Sequence, residues 1–423
     1  MEIKKKKLLV FECILCLYPI AFLFSNVVTE FFLFVVIGIF ISDKKNLKLI
    51  FEDKIFIFLF IFFIYLIINF LINFENKPSV ARTFGFIRFP LFVISVAYLI
   101  NHKTVSLRKI FSFWSVILLI IFLDIFIQKI FGSNLLGYKT VMQGDNLVRL
   151  GGFMNQELKI ANLINHFSML TVGYFFSLQA REDNKYNSVF ALLLMLVAAF
   201  SVFLTAERAN FVTIVIAIFI LSFFKYKISR LAIVSAVFLF ALTFFQSNNT
   251  QLLERMILER ANDYNVIFKT KEKLFFKKDS HYFAHYSVAN QIFKRNPVFG
   301  NGLNNFQKDC VKNQKIYIKE VFPGYTSKMC NTHPHSFYLE ILSELGIVGF
   351  FLLIAFFIYF FYKLFLSFAL TKKNYLLISG GIILLCYFIP VPRGSFFTNW
   401  TAMIFWLTFA VVYSQVLSSS SSK

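Results

Sequence analysis

A chain of 423 residues that is 58% hydrophobic and carries 61 phenylalanines cannot bury that much apolar surface as a soluble globule. Uncharged runs long enough to cross a bilayer recur along its whole length. The net charge of +21 raises nucleic acid as a partner, but the lysines and arginines fall mainly in alternate short connections between hydrophobic runs, as the positive-inside rule requires. The basic balance is therefore topology and not a nucleic-acid footprint, and the Phe, Ile, Lys and Asn excess fits a coding bias better than an aromatic recognition platform.

The Lys4 to Lys7 cluster imitates the start of a secretory signal, but no small-residue cleavage site follows and a second apolar run begins at once, so the first segment reads as a retained helix. Runs at 8–24 and 27–41 lead to an inner connection with Lys44, Lys45, Lys48 and Lys54. The run at 55–73 leads out to Glu75, Pro78, Arg82 and Arg88, and the run at 89–100 leads back in to His102, Lys103, Arg108 and Lys109. The run at 110–130 precedes an outer loop at 132–157, and 158–178 returns to Arg181 and Lys185. The run at 188–205 ends outside at Glu207 and Arg208, 210–224 returns to Lys225, Lys227 and Arg230, and 231–245 goes out again. A long polar outer segment, 246–335, precedes the last three runs at 346–366, 375–389 and 396–416. The reading is an all-α polytopic membrane protein of about 12 spans, with residues 1–245 holding nine of them, 246–335 forming a large, partly helical outer loop, 336–417 an interfacial helix and three spans, and 418–423 a flexible tail. Both termini fall inside.

Within the long outer segment, 252–261 and 282–295 have helical apolar spacing, Asn296-Pro297 breaks the second, and Gly300, Gly302 and Gly324 mark turns. Residues 337–345 are amphipathic, with Ser336, Glu340 and Glu344 on one face at four-residue spacing. There is no phosphate-binding Gly-rich loop, no nucleophile elbow and no carboxylate pair of the kind nucleotide-sugar transferases use. A substrate that brings its own activated group is the chemistry this leaves. Arg208 sits at a membrane boundary, where a lipid diphosphate headgroup would lie, and arginine is planar, permanently charged and bidentate toward phosphate. Arg82, Arg88 and Arg393 also fall on outer connections and could add charge, although a snorkelling arginine is the simpler reading of each.

The strongest local pattern is His335-Ser336, a nine-residue gap, then Gly346-Ile347-Val348-Gly349. In this the sequence resembles the O-antigen ligase and polymerase superfamily. Thr205-Ala206-Glu207-Arg208 is similar to the family's arginine motif, Asn296-Pro297-Val298-Phe299-Gly300-Asn301-Gly302 to its Pro-x-x-Gly-x-Gly turn, and the segment from Arg149-Leu150-Gly151-Gly152-Phe153 to Glu157 to its entry into the sixth span. Ala161 stands where the family commonly has Gly, and Ser280-His281-Tyr282 stands roughly where many ligases carry a loop arginine.

The resemblance implies a glycosyltransferase of the bacterial inner membrane that needs no metal or other cofactor. Its donor would be a polyprenyl-diphosphate-linked glycan at the periplasmic face, and its acceptor lipid A–core sugar for a ligase or another lipid-linked repeat unit for a polymerase. His335 would be the base that activates the acceptor hydroxyl, since imidazole exchanges protons near neutral pH. Arg208 would hold the diphosphate as charge accumulates there, with Arg149, Glu207 and the Glu340 face contributing to the substrate site. A flippase or other transporter is the non-enzymatic alternative, disfavoured because no internal repeat is visible and the polar residues cluster on the outer side. His281, His285, His333 and His335 could offer zinc ligands, but the transfer chemistry does not call for them. Cys310 and Cys330 share the outer loop, the only compartment here that permits a disulfide, and are expected to pair.

Overall fold

The computed structural model describes residues 2–102, 104–143, 147–225, 281–317 and 329–420. The expected span at 231–245, the helix at 252–261 and the turn at Gly324 lie outside them. The described residues are nearly all helical: α1 (Glu2–Phe24), α2 (Asn26–Ile41), α3 (Lys44–Glu52), α4 (Lys54–Ile72), α5 (Val80–Gly85), α6 (Arg88–Ile100), α7 (Leu107–Phe131), α8 (Ile160–Glu182), α9 (Lys185–Leu204) and α10 (Arg208–Lys225). After α11 (His281–Arg295), α12 (Phe306–Lys312) and α13 (Gln314–Tyr317) come α14 (Phe337–Thr371), α15 (Tyr375–Leu385) and α16 (Asn399–Ser420). One antiparallel hairpin, β1 (Val141–Gln143) with β2 (Leu147–Arg149), pairs Val141 with Arg149 in the loop between α7 and α8.

Among the described residues eight helices are long and apolar enough to cross a bilayer, or nine if α2 and α3 are one span bent by 103°. α8 is not among them, because it carries Asn162, Asn165, His166, Ser168, Thr171 and Ser177. It is nonetheless buried along most of its length and packs against α7, α9, α10 and α15. A polar helix inside a lipid-facing bundle needs internal partners. His166 has them in Thr408 at 2.7 Å and Tyr387 at 3.1 Å, and the Asn165 amide donates to the Asn210 carbonyl at 2.9 Å.

Short polar side chains set the helix starts. Ser25, Ser106 and Ser336 cap α2, α7 and α14, each accepting an otherwise orphaned N–H. Asp53 does more. It accepts the N–H groups of Ile55 at 2.9 Å and Phe56 at 3.1 Å, and the hydroxyls of Tyr98 at 3.1 Å and Tyr413 at 2.7 Å. Four donors around one buried carboxylate tie α4, α6 and α16 together at a single point. The phenylalanines pack chiefly on one another, as where Phe356, Phe405, Trp406 and Phe409 meet between α14 and α16.

Candidate active site

The site is built around a broken helix. Gly346 interrupts α14 with φ 66° and ψ −170°, a region essentially reserved for glycine. The break frees backbone groups on both sides, and the Asn296–Gly302 turn takes them up. Asn301 N–H donates to Ser343 O and Gly302 N–H to Glu344 O, both at 2.9 Å, while Ile347 N–H donates to Pro297 O at 2.9 Å and Val348 N–H to Val298 O at 3.3 Å. The Tyr65 hydroxyl donates to Leu345 O, and the Asn69 amide holds the turn from α4 through Phe299 O at 2.5 Å. A Cβ at Gly300 would run into the backbone of residues 344–346. The two glycine patterns that the sequence shows as separate motifs are thus two halves of one interlock.

On the N-terminal side of the break, α14 carries two buried carboxylates one turn apart. Glu340 accepts from the Ser395 hydroxyl and from Phe396 N–H at 3.0 Å, and Glu344 accepts from Asn304 N–H at 2.8 Å and Phe306 N–H at 3.3 Å. Glu340 therefore braces the loop before α16. It does not face open solvent, being 2% exposed. Arg82, at the start of α5, acts electrostatically on both carboxylates and on His333. It also lines a small pocket with Phe86, Arg88, Phe396 and Trp406. Arg88 is largely committed: it pairs with Glu30 at 3.0 Å and donates to Gly85 O at 2.5 Å and Asn399 Oδ1 at 3.1 Å. Arg393 is committed too, donating to the Thr213 hydroxyl at 2.8 Å and to Cys386 O at 2.7 Å beneath the Tyr387 ring.

His335 lies immediately before the Ser336 cap in a left-handed conformation, φ 57°, an uncommon state for a residue with a side chain. Its carbonyl accepts from Arg393 N–H at 3.0 Å, and its Nε2 meets the Asn331 amide nitrogen at 3.0 Å. The neighbouring strand of loop is anchored by the Cys310–Cys330 disulfide, with Cα atoms 5.3 Å apart, and by His285, whose Nδ1 meets Met329 O at 3.0 Å. Three aromatic rings surround the imidazole, with centroids 4.1 Å away for His333, 5.4 Å for His285 and 5.6 Å for Tyr282, the last edge-on. Burial lowers His333 to about 4 and lowers His285 as well, so both favour the neutral form. Among the described residues no three His, Cys, Asp or Glu side chains are placed to hold a metal ion.

The α9–α10 turn brings the second cluster. Ala206 takes φ 59°, which turns Glu207 inward. Its carboxylate accepts from Asn210 Nδ2 at 2.6 Å and from Ala161 N–H at 3.4 Å. Burial raises Glu207 to about 7, against the pull of Arg149. Arg149, at the end of β2, is lowered by burial first; Glu207 and Tyr282 raise it and Arg208 lowers it. Two guanidiniums beside one carboxylate leave net positive charge, and Tyr282, edge-on to the imidazole, links this cluster to His335. The sequence had indicated Arg149, Glu207, Arg208 and His335, and the fold gathers them. Tyr282 is marked in the sequence only as standing near the place of a family loop arginine, and the only signal for Asn331 is its position four residues before the histidine.

Residues 190–354 match the family model described as O-antigen ligase, a stretch that runs from α9 through the Arg208 turn and His335 to just beyond the break in α14. No curated protein matches the chain.

Proposed function

From the premise that this chain belongs to the O-antigen ligase superfamily, and is a multi-pass membrane protein with glycosyltransferase-like character, we propose that it moves a glycan from a polyprenyl-diphosphate carrier to a sugar hydroxyl at the periplasmic face of the bacterial inner membrane. The observation that carries this reading is that Arg149 lies within electrostatic reach of Arg208 at the start of α10 and of Tyr282, whose ring meets that of His335 edge-on. Breaking the bond between the sugar C1 and the diphosphate leaves negative charge on the diphosphate oxygens. Fixed guanidiniums in a water-poor setting stabilise that charge without having to reorganise. The Glu207 carboxylate, which acts electrostatically on Arg149, helps offset two like charges in a half-buried place. Arg82 supplies further positive charge from the α5 side. Direct attack by the acceptor oxygen would invert the anomeric configuration. No resident cofactor or metal is required by this scheme.

The acceptor we favour is lipid A–core sugar, the ligase outcome; polymerisation of repeat units would use the same donor site. Transport is disfavoured on a specific ground. Transporters use broken helices whose vacant backbone groups coordinate cargo near mid-membrane, and here the groups freed at Gly346 are taken by the Asn296–Gly302 turn.

Purified protein in proteoliposomes, given polyprenyl-diphosphate-linked glycan together with lipid A–core, is expected to yield glycosylated core. Elongated lipid-linked glycan formed without core would point to the polymerase. Donor crossing the bilayer with no new covalent product would overturn the transferase reading.

A further inference from the structure

The Asn331 amide oxygen is already occupied: it accepts from Thr332 N–H at 2.7 Å, and the Thr332 hydroxyl lies 3.4 Å away. Rotating the amide would set its NH2 group against that backbone N–H, so hydrogen bonding fixes which end faces the histidine. The nitrogen is the end that meets His335 Nε2, at 3.0 Å. An amide N–H can only donate, so Nε2 must accept, and a neutral imidazole that accepts at Nε2 carries its hydrogen on Nδ1. The arrangement is held from several sides. Cys330, next to Asn331, is tied to α12 by the disulfide; Met329 O holds His285; and His335 O is fixed by Arg393 N–H.

We propose that Asn331 is a positioning residue that holds His335 as the Nδ1–H tautomer, so that the imidazole serves the transfer as a hydrogen-bond donor and not as the base. The role in transfer rests on the reaction proposed above; the tautomer does not. A base would need its lone pair directed at the acceptor hydroxyl, and the only lone pair of this tautomer is engaged by Asn331. A donor is suited to the other end of the reaction, where charge develops on the leaving group. In that step the acceptor oxygen bonds to C1, and the C1–O bond breaks with its electron pair left on the diphosphate. The hydroxyl proton passes to a diphosphate oxygen, so His335 begins and ends neutral.

Two experiments test this, and they fail separately. Solid-state NMR of the full chain in nanodiscs with 15N-histidine, taking the difference from His335→Asn, is expected to show Nδ1 of residue 335 protonated and Nε2 bare, and Asn331→Ala to redistribute the two forms. A hydrogen found on Nε2 in the unaltered protein overturns the proposal whatever the activity. In the transfer assay the informative pair is His335→Asn and His335→Asp, because both residues tolerate the left-handed backbone. Asn keeps a donor near Nδ1 and cannot act as a base; Asp reverses this. Transfer by His335→Asn is expected to stay within about tenfold of the unaltered protein and His335→Asp to fall by about 10²-fold or more, the size of one missing transition-state donor. A loss of about 10²–10⁴-fold in His335→Asn, the range of a missing base, with His335→Asp the more active, would overturn it. Absence of transfer by the unaltered protein would instead count against the proposed reaction, and the NMR result would still decide the tautomer.

Discussion

The His333 ring lies tilted beside His335, centroids 4.1 Å apart, and burial brings its imidazole down to about 4 from an ordinary value near 6.5. The unfolded chain then binds a proton across that interval that the folded protein does not, so stability should rise as pH climbs from about 4 to 6.5 and level off above. Thermal unfolding of detergent-solubilised protein is expected to show that limb, and His333→Gln to flatten it; an unchanged limb in the variant would assign the dependence to other groups. His335 and Arg208 were legible in the sequence because each belongs to a motif whose members are close along the chain. Asn331 was not, since a polar residue in an irregular loop leaves no periodicity, and the helical spacing that placed Tyr282 in a helix could not show which ring it meets across the fold. The commitments of Arg88 to Glu30 and of Arg393 to Thr213 and Cys386 join residues far apart in sequence, so no local pattern could reveal them.

The break in α14 shows what spacing can and cannot tell at the level of elements. The glycines around 346 were visible, and so was the turn at 300–302, but their interlock depends on backbone groups exchanging partners across more than forty positions of sequence. Gly346→Ala would force a side chain into a glycine-only conformation, at about 1–3 kcal/mol, and drive its Cβ into the Val298 carbonyl. It is expected to lower the unfolding temperature clearly and to lower transfer with it, since the same turn leads into the Asn304–Phe306 segment held by Glu344. An alanine variant as stable as the parent would contradict the interlock. The hairpin ending at Arg149 leaves no strand signal in the sequence, its strands being three residues each. The lysines of α3 look in the sequence like a plain basic connection and carry no sign that Asp43 and Asp53 bound a helix.

Across the whole molecule, hydrophobic runs separated by short basic connections located most helices, including α8, whose polar residues keep it from the helices apolar enough to cross a bilayer. The orientation it implies is open to direct test. A reporter active only in the cytoplasm should work when fused after Lys48, Lys185 or Lys373 and fail after Lys315. Activity after Lys315 would move α12 and His335 to the cytoplasmic side and remove the periplasmic reaction. The central claim is that the Arg149, Arg208 and His335 cluster performs the transfer, and single-turnover chemistry tests it most directly. Purified protein loaded with labelled polyprenyl-diphosphate glycan, then given acceptor, should release polyprenyl diphosphate and form glycosylated acceptor in equal amounts. Arg208→Lys, which keeps the charge but loses the bidentate fork, should slow both together by about tenfold or more and weaken donor binding. Normal turnover in Arg208→Lys and in Arg208→Ala would contradict the account.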